Sequence, residues 1–186
     1  YFTSAQEWEK LAIRCLEIVR DGIYKQEFRG IYVCFGLSYV CFLVRELANK
    51  APAISRFRDS LEYLFANTLR SYLDATNERW FESESTFELI FGFSGVLRCC
   101  CDGEPDSPCL DLADEVADAL VRRLRPKTFL GWTVPGFHYI PSRFEAENMG
   151  TLAPNGCVNY SMSHGIAGTL GALSFAYRKR SNSDVR

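Results

Sequence analysis

Three almost wholly apolar segments, each opened by a glycine signature, alternate with three amphipathic segments along this chain of 186 residues. The apolar segments cover residues 36–44, 87–97 and 165–179. Their signatures are Phe35-Gly36-Leu37-Ser38, Phe91-Gly92-Phe93-Ser94-Gly95 and His164-Gly165-Ile166-Ala167-Gly168. A helix that is apolar on every side belongs in an interior, and a self-similar pair of helices that recurs along a chain indicates stacked helical hairpins.

The amphipathic segments cover residues 4–20, 55–74 and 108–125, where apolar side chains recur at helical spacing. In the first of them, the predicted buried face includes Trp8, Cys15 and Val19. The economical arrangement has two layers, with amphipathic helices outside and apolar helices inside. The predicted fold is therefore all-α, part of an α/α toroid with about three helical hairpins. The first turns of the inner helices, which carry partial positive charge, would converge on a shared cavity.

Residues 128–160 differ in kind from the helical segments. They are rich in prolines, aromatic residues and β-branched residues, which predict short strands and turns. A stretch of this length is too long for a passive linker. We therefore predict one domain over residues 1–186, with a small irregular or β extension, or a lid, inserted at about 128–160.

Composition excludes some functions and suggests a compartment. The net charge is −2, so a phosphate-neutralising surface for nucleic acid is not indicated. No apolar stretch reaches the roughly 20 residues that span a bilayer. Most of the eight cysteines, including Cys15 and the run 99–101, lie in apolar helical patterns and are predicted to pack as small hydrophobes. No CxxC or CxxH pair occurs, so local spacing does not encode a zinc site. The placement of the cysteines favours a reducing, cytoplasmic setting. Cys157, in a loop, is the predicted exposed thiol.

Two titratable residues stand at the starts of apolar segments. His164 lies at the mouth of the last one, where an imidazole is a candidate for proton transfer; the alternative is a hydrogen-bonded structural histidine. Glu88 opens the middle segment, where a carboxylate either only complements the helix dipole or takes part in catalysis. The second histidine, His138, is predicted to pack inside the extension.

Several motifs together resemble the lanthionine synthetase C-like family, and in particular its lanthipeptide cyclases. They are Pro135-Gly136-Phe137-His138, Pro154-Asn155-Gly156, the run from Asn159 to Gly168 and the segment 87–95. The resemblance covers roughly residues 30–180. His164 matches the family's active-site histidine, whereas Glu88 stands where the family usually has an aspartate.

The resemblance implies an α/α toroid that closes thioether rings in a dehydrated precursor peptide. A peptide cysteine thiolate adds to dehydroalanine or dehydrobutyrine, and the resulting enolate is protonated. Zinc holds the thiolate in that family, through ligands that lie further along than residue 186. The resemblance therefore implies an N-terminal portion of such an enzyme that is inactive alone. It also implies a dehydratase and an exporter as partners, and a cytoplasmic location with membrane attachment only through partners. Apolar surface left exposed where further helices would pack predicts dimerisation.

Two functions of other classes stay open at this point. The first is a non-catalytic helical module that binds a leader peptide or a partner enzyme. The second is a glycan-processing α/α toroid, which needs two carboxylates across a cleft. Glu88 alone is suitably placed for that chemistry.

Overall fold

Six α-helices make up most of the part of the chain that the computed structural model describes, which is residues 5–25, 30–31, 36–75, 87–139 and 155–183. The helices are α1 (Ala5–Tyr24), α2 (Leu37–Ala48), α3 (Ser55–Ala75), α4 (Phe93–Cys101), α5 (Ala113–Leu124) and α6 (Ile166–Ser183). Short 3-10 helices at Pro52–Ile54 and Leu110–Leu112 lead into α3 and α5. Each predicted helical segment is therefore present, although some boundaries differ.

The predicted division into apolar and amphipathic layers is confirmed. Helix α4 packs against α2 on one side and α6 on the other, while α3 packs on α2 and α5 packs on α4. One hydrophobic core joins these helices, with fully buried members such as Val44, Phe65, Leu97 and Val116. The apolar helices thus form a row, α2–α4–α6, and burying it against the outer helices is what stabilises the fold.

The prediction that all three apolar helices are buried on every side is wrong for the two flanking ones. Helix α4 is buried along nearly its whole length. Helix α2 exposes Tyr39, Phe42 and Leu43, which share one face at i, i+3, i+4 spacing, and α6 exposes Leu170. The reason is position: within the described residues, each flanking helix has an apolar neighbour on one side only.

Helix α1 is amphipathic as predicted, but part of its expected buried face is exposed. Leu16, Val19 and Ile23 pack against the core, whereas Trp8 and Cys15 are exposed. Apolar residues lie around much of this helix, so periodicity alone did not fix which face is buried. The predicted exposed thiol, Cys157, is only partly exposed, and Cys15 is the exposed cysteine in the described part of the chain.

The described part of the extension contains the predicted short strands. Strands β1 (Lys127–Phe129) and β2 (Trp132–Val134) pair antiparallel. Leu130 (φ 49°) and Gly131 (φ 82°) connect them with two positive φ angles, as tight hairpins require. Further along the extension, Tyr139 and Cys157 form an isolated antiparallel bridge. Residues 140–154 of the predicted extension lie outside the described residues, so a lid stays a prediction.

His138 is packed inside the extension, as predicted. Its ring lies 4.9 Å from the Phe129 ring, centroid to centroid, and its Nε2 is 2.9 Å from the Asn155 carbonyl oxygen. A side chain at Gly156 (φ 85°) would strike the imidazole, because its Cβ would lie 2.6 Å from the ring. Glycine at this position therefore serves packing around His138.

A buried ion pair, absent from the sequence-based predictions, links three helices. Arg45 Nε of α2 lies 2.5 Å from Glu62 Oε1 of α3, with both side chains less than a tenth exposed. Arg45 Nη1 also donates to the Cys99 carbonyl of α4 at 2.5 Å. Arg45 stands at the end of an apolar run and would ordinarily be expected in water, but its fork of donors satisfies a carboxylate and a carbonyl at once.

Candidate active site

The repeated glycine signatures correspond to a repeated structure at the helix starts. Gly36 (φ −122°, ψ −178°) precedes α2 and Gly92 (φ −124°, ψ −176°) precedes α4, with almost identical backbone angles. Two residues later, Ser38 and Ser94 each donate a hydroxyl hydrogen bond to the backbone carbonyl seven residues earlier. The segment before each helix is therefore folded back against the first turn of that helix.

Close backbone approach explains why glycine stands at these starts. A Cβ at Gly92 would lie 2.5 Å from both the backbone N and the backbone O of Glu88. A Cβ at Gly165 would lie 2.4 Å from the Asn159 carbonyl oxygen and 2.6 Å from the Ser161 nitrogen. In both turns the obstructing nitrogen belongs to the residue four positions earlier. Only a residue without a side chain fits there.

Glu88 is buried in the turn that precedes α4. Its Oε2 accepts from the Ile90 backbone N–H at 3.0 Å, and its Oε1 accepts from the Phe91 backbone N–H. The carboxylate therefore satisfies N–H groups that would otherwise start a helix, which corrects the predicted start of this helix from residue 87 to Phe93. Burial raises the Glu88 pKa above its ordinary value, although these two backbone hydrogen bonds and His164 oppose the shift.

His164 meets Glu88 across a sequence separation of 76 residues. Its Nδ1 lies 2.9 Å from Glu88 Oε2. Half of the imidazole side chain is exposed (49%), whereas the Glu88 side chain is 1% exposed. Because an ionised carboxylate can only accept, the hydrogen bond assigns the proton to Nδ1 and leaves Nε2 as the acceptor in the neutral ring. A buried carboxylate thus orients an imidazole that solvent can reach.

Phe91 holds the same imidazole from a second direction. The two rings are stacked, with centroids 6.2 Å apart and planes inclined by 17°. Phe91 and His164 are the residues immediately before Gly92 and Gly165, so they occupy equivalent positions in two repeats. The row of apolar helices thus brings equivalent repeat positions side by side.

The structure therefore brings together the two residues that the sequence singled out, Glu88 and His164, and keeps His138 in a packed position in the extension. Sequence reasoning missed the contact of Phe91 with His164, although alignment of the glycine signatures was the signal that could have found it. The buried position of Glu88 disfavours glycan processing, because a carboxylate that is already bonded to an imidazole and two N–H groups does not face a cleft.

The described residues do not provide a metal site. Among them, no group of three or more His, Cys, Asp or Glu side chains could hold a metal ion. Cys99, Cys100 and Cys101 are buried in α4, as predicted, and burial raises the pKa of each thiol, to about 12 for Cys99 and about 11 for Cys101. Zinc therefore has no fitting set of ligands in the described part of the chain.

A family model described as lanthionine synthetase C-like protein matches residues 1–186, the whole chain. The chain belongs to the lanthionine synthetase C-like family. A solved structure of a nisin cyclase matches this family member with a TM-score of 0.73 and 17% sequence identity, over 93% of this chain and 46% of that chain. No curated protein sequence matches the chain.

The structural likeness establishes the fold, which is that of an α/α toroid, and the chain spans about half the length of the nisin cyclase chain. None of the helices in the described part of this lanthionine synthetase C-like chain combines the length and hydropathy that crossing a bilayer requires. The family assignment and the fold agree with the sequence-based resemblance.

Proposed function

We propose that this chain is part of a lanthipeptide cyclase and supplies the proton-transfer pair of its active site. Family membership over the whole chain supports the class of enzyme. The observation that carries the proposal is the 2.9 Å contact between His164 Nδ1 and a buried Glu88 carboxylate. A pair of this kind, with the second ring nitrogen accessible, is suited to general acid–base catalysis.

The proposed reaction joins a peptide cysteine to a dehydroalanine or dehydrobutyrine residue. His164 Nε2 accepts the thiol proton as the sulfur attacks the β-carbon, and the C=C pair moves to form an enolate. The imidazolium then returns the proton to the α-carbon, so a C–S bond and a C–H bond form and no proton is gained or lost. Glu88 stabilises the imidazolium and holds the ring in the tautomer that leaves Nε2 free.

The wider setting is also part of the proposal. A zinc dependence of the complete enzyme would need ligands outside the described residues, and we expect the 186 residues alone to be inactive. The substrate is a dehydrated precursor peptide, with a dehydratase and an exporter as partners. Seven free cysteines in the described part of the chain favour a reducing cytoplasm. The exposed apolar face of α2 is where a second copy would dimerise.

Replacement of His164 in the complete enzyme tests the catalytic role. We expect His164→Ala to lower kcat for ring closure by about 10²–10⁴-fold, the usual contribution of a general acid–base group, with KM nearly unchanged. Asp118→Ala, on the exposed side of α5, is the matched control and should leave both constants unchanged. Unchanged turnover in His164→Ala would remove His164 from the mechanism.

A non-catalytic peptide-binding module is the second candidate, and one observation favours it. Tyr160 and Met162, just before His164, are 72% and 61% exposed, which is typical of a contact surface. Under this alternative, Tyr160→Ala would weaken binding of the precursor peptide, while the complete protein would close no rings on dehydrated peptide. Ring closure by the wild-type protein would exclude a purely binding role.

A further inference from the structure

Three consecutive residues of the turn that carries Glu88 are each bonded to the start of α6. The Phe87 carbonyl accepts from Thr169 Oγ1 at 3.0 Å, and Glu88 Oε2 lies 2.9 Å from His164 Nδ1. The Leu89 backbone N–H donates to the Ser163 carbonyl at 3.1 Å. The Glu88–His164 contact is thus flanked on both sides by hydrogen bonds between the same two segments.

Of the two flanking hydrogen bonds, the one from Thr169 is made by a side chain and the other joins two backbone groups. Thr169 is fully buried. Its hydroxyl oxygen also lies 3.0 Å from Ser94 Oγ, which itself donates to the Phe87 carbonyl. Two hydroxyls from α4 and α6 therefore converge on one carbonyl, directly beside Glu88 in the chain. Among the described residues, the Thr169 hydroxyl is the group that links this carbonyl to the helix that follows His164.

Comparison of the repeats shows that this hydroxyl departs from the repeat pattern. Two positions after the glycine stand Ser38 and Ser94 in the first two repeats, but an alanine in the third. Four positions after the glycine stand Val40 and Val96, both buried, but Thr169 in the third. The third repeat thus lacks the hydroxyl that bonds its own preceding turn and carries one that bonds the preceding turn of its neighbour.

We propose that Thr169 is a positioning residue that fixes Glu88 against His164, and thereby holds the imidazole as the tautomer with Nδ1 protonated. The proposal rests on the proposed function only for its catalytic consequence. The hydrogen bond acts one residue before Glu88 and five residues after His164, so it sets the separation of the two segments. Without it, the flanking contact on the Phe87 side would be lost, and the Nδ1–Oε2 distance would be free to vary.

The isosteric variant Thr169→Val tests this directly, because the two other repeats show that valine packs at this position. In ¹⁵N-histidine-labelled protein, long-range ¹H–¹⁵N spectra report which ring nitrogen of His164 carries the proton. We expect wild type and Thr169→Ser to show a protected Nδ1–H. In Thr169→Val, the Nδ1 proton should exchange with solvent about five- to tenfold faster. This factor is the increase in the population of the open, unbonded state that the loss of one hydrogen bond produces.

Ser38→Ala is the matched control, since it removes a buried hydroxyl from the first repeat, where the bond is local to one turn. It should lower stability and leave the His164 spectrum unchanged. A wild-type spectrum in folded Thr169→Val would overturn the proposal, as would an equal change in Ser38→Ala.

The ring-closure assay separates this proposal from the proposed function. If both hold, Thr169→Val lowers kcat with KM unchanged, and Thr169→Ser restores it. If the Nδ1–H signal changes while turnover does not, Thr169 positions the pair as proposed, and the pair is not catalytic. The two failures are thus distinguishable.

Discussion

Substitution of Gly92 by alanine should damage the turn that holds Glu88 while leaving the backbone angles acceptable. Gly92 is extended (φ −124°, ψ −176°), a conformation open to any residue, so no left-handed strain is involved. The whole cost comes from the new Cβ, which would lie 2.5 Å from two Glu88 backbone atoms, where an ordinary contact begins at 3.4 Å. Relief requires a movement of about 0.9 Å in rigid backbone.

Overpacking of this kind costs about 1–3 kcal/mol of the free energy of unfolding. At roughly 2–4 °C per kcal/mol for a chain of this size, Gly92→Ala should lower Tm by roughly 2–12 °C. A displacement of Glu88 near 1 Å should also lower ring-closure turnover by about 10²-fold. Thermal unfolding followed by circular dichroism measures the first effect, and the ring-closure assay on the complete enzyme measures the second.

Gly171→Ala is the matched control, because a Cβ there meets nothing within 4 Å in the interior of α6. Alanine is the better helix former, so this variant should gain about 0.5–1 kcal/mol and keep full activity. Wild-type stability in Gly92→Ala, or a loss as large in Gly171→Ala, would refute the assignment of Gly92 to close backbone approach.

Three other predictions concern charge and burial. Burial raises the Glu88 pKa above 4.5, so the contribution of Glu88 to stability is complete below pH 4.5 and is lost as the pH rises through the raised pKa. In urea titrations, wild type should therefore lose stability relative to Glu88→Gln over that pH interval. Parallel curves of unfolding free energy against pH for the two proteins would contradict the shift. Arg45→Met leaves the Glu62 carboxylate buried without its guanidinium and should cost about 3–5 kcal/mol, whereas the double variant Arg45→Met/Glu62→Leu should recover most of it. Cys15 should react quickly with a thiol reagent in the native protein and Cys100 should not, since burial raises the pKa of Cys100. If the fast phase of the reaction keeps its full amplitude in Cys15→Ser, the assignment of that phase to Cys15 is wrong.

Prediction from sequence succeeded where the signal was local and periodic. The segments 36–44 and 165–179 are helical, and the hairpin at the extension falls near its predicted start. Prediction failed at residues 87–92, since apolar composition favoured a helix there. The reason is a side-chain bond: Glu88 accepts the N–H groups of Ile90 and Phe91, and periodicity contains no information about such a bond.

The candidate site shows the same division. Glu88 and His164 were each identified from their place at the start of an apolar segment, and the resemblance to the family predicted an active-site role for His164. Their mutual contact, the stacking of Phe91 and the bond from Thr169 all depend on α4 and α6 lying side by side. The buried pair of Arg45 and Glu62 was missed because it depends on the packing of α2 on α3.

The sequence alone determined the number and kind of helices, the alternation of apolar and amphipathic faces, and the glycines that let each inner helix begin against its preceding turn. These properties follow from hydrophobic periodicity and from the absence of a side chain, both of which can be read residue by residue. Only the tertiary structure decided which face of α1 is buried, and that α4 takes the central place. It also placed residues 87–89 against residues 163–169, because a carboxylate and an imidazole far apart in sequence meet only when two neighbouring helices fix both turns.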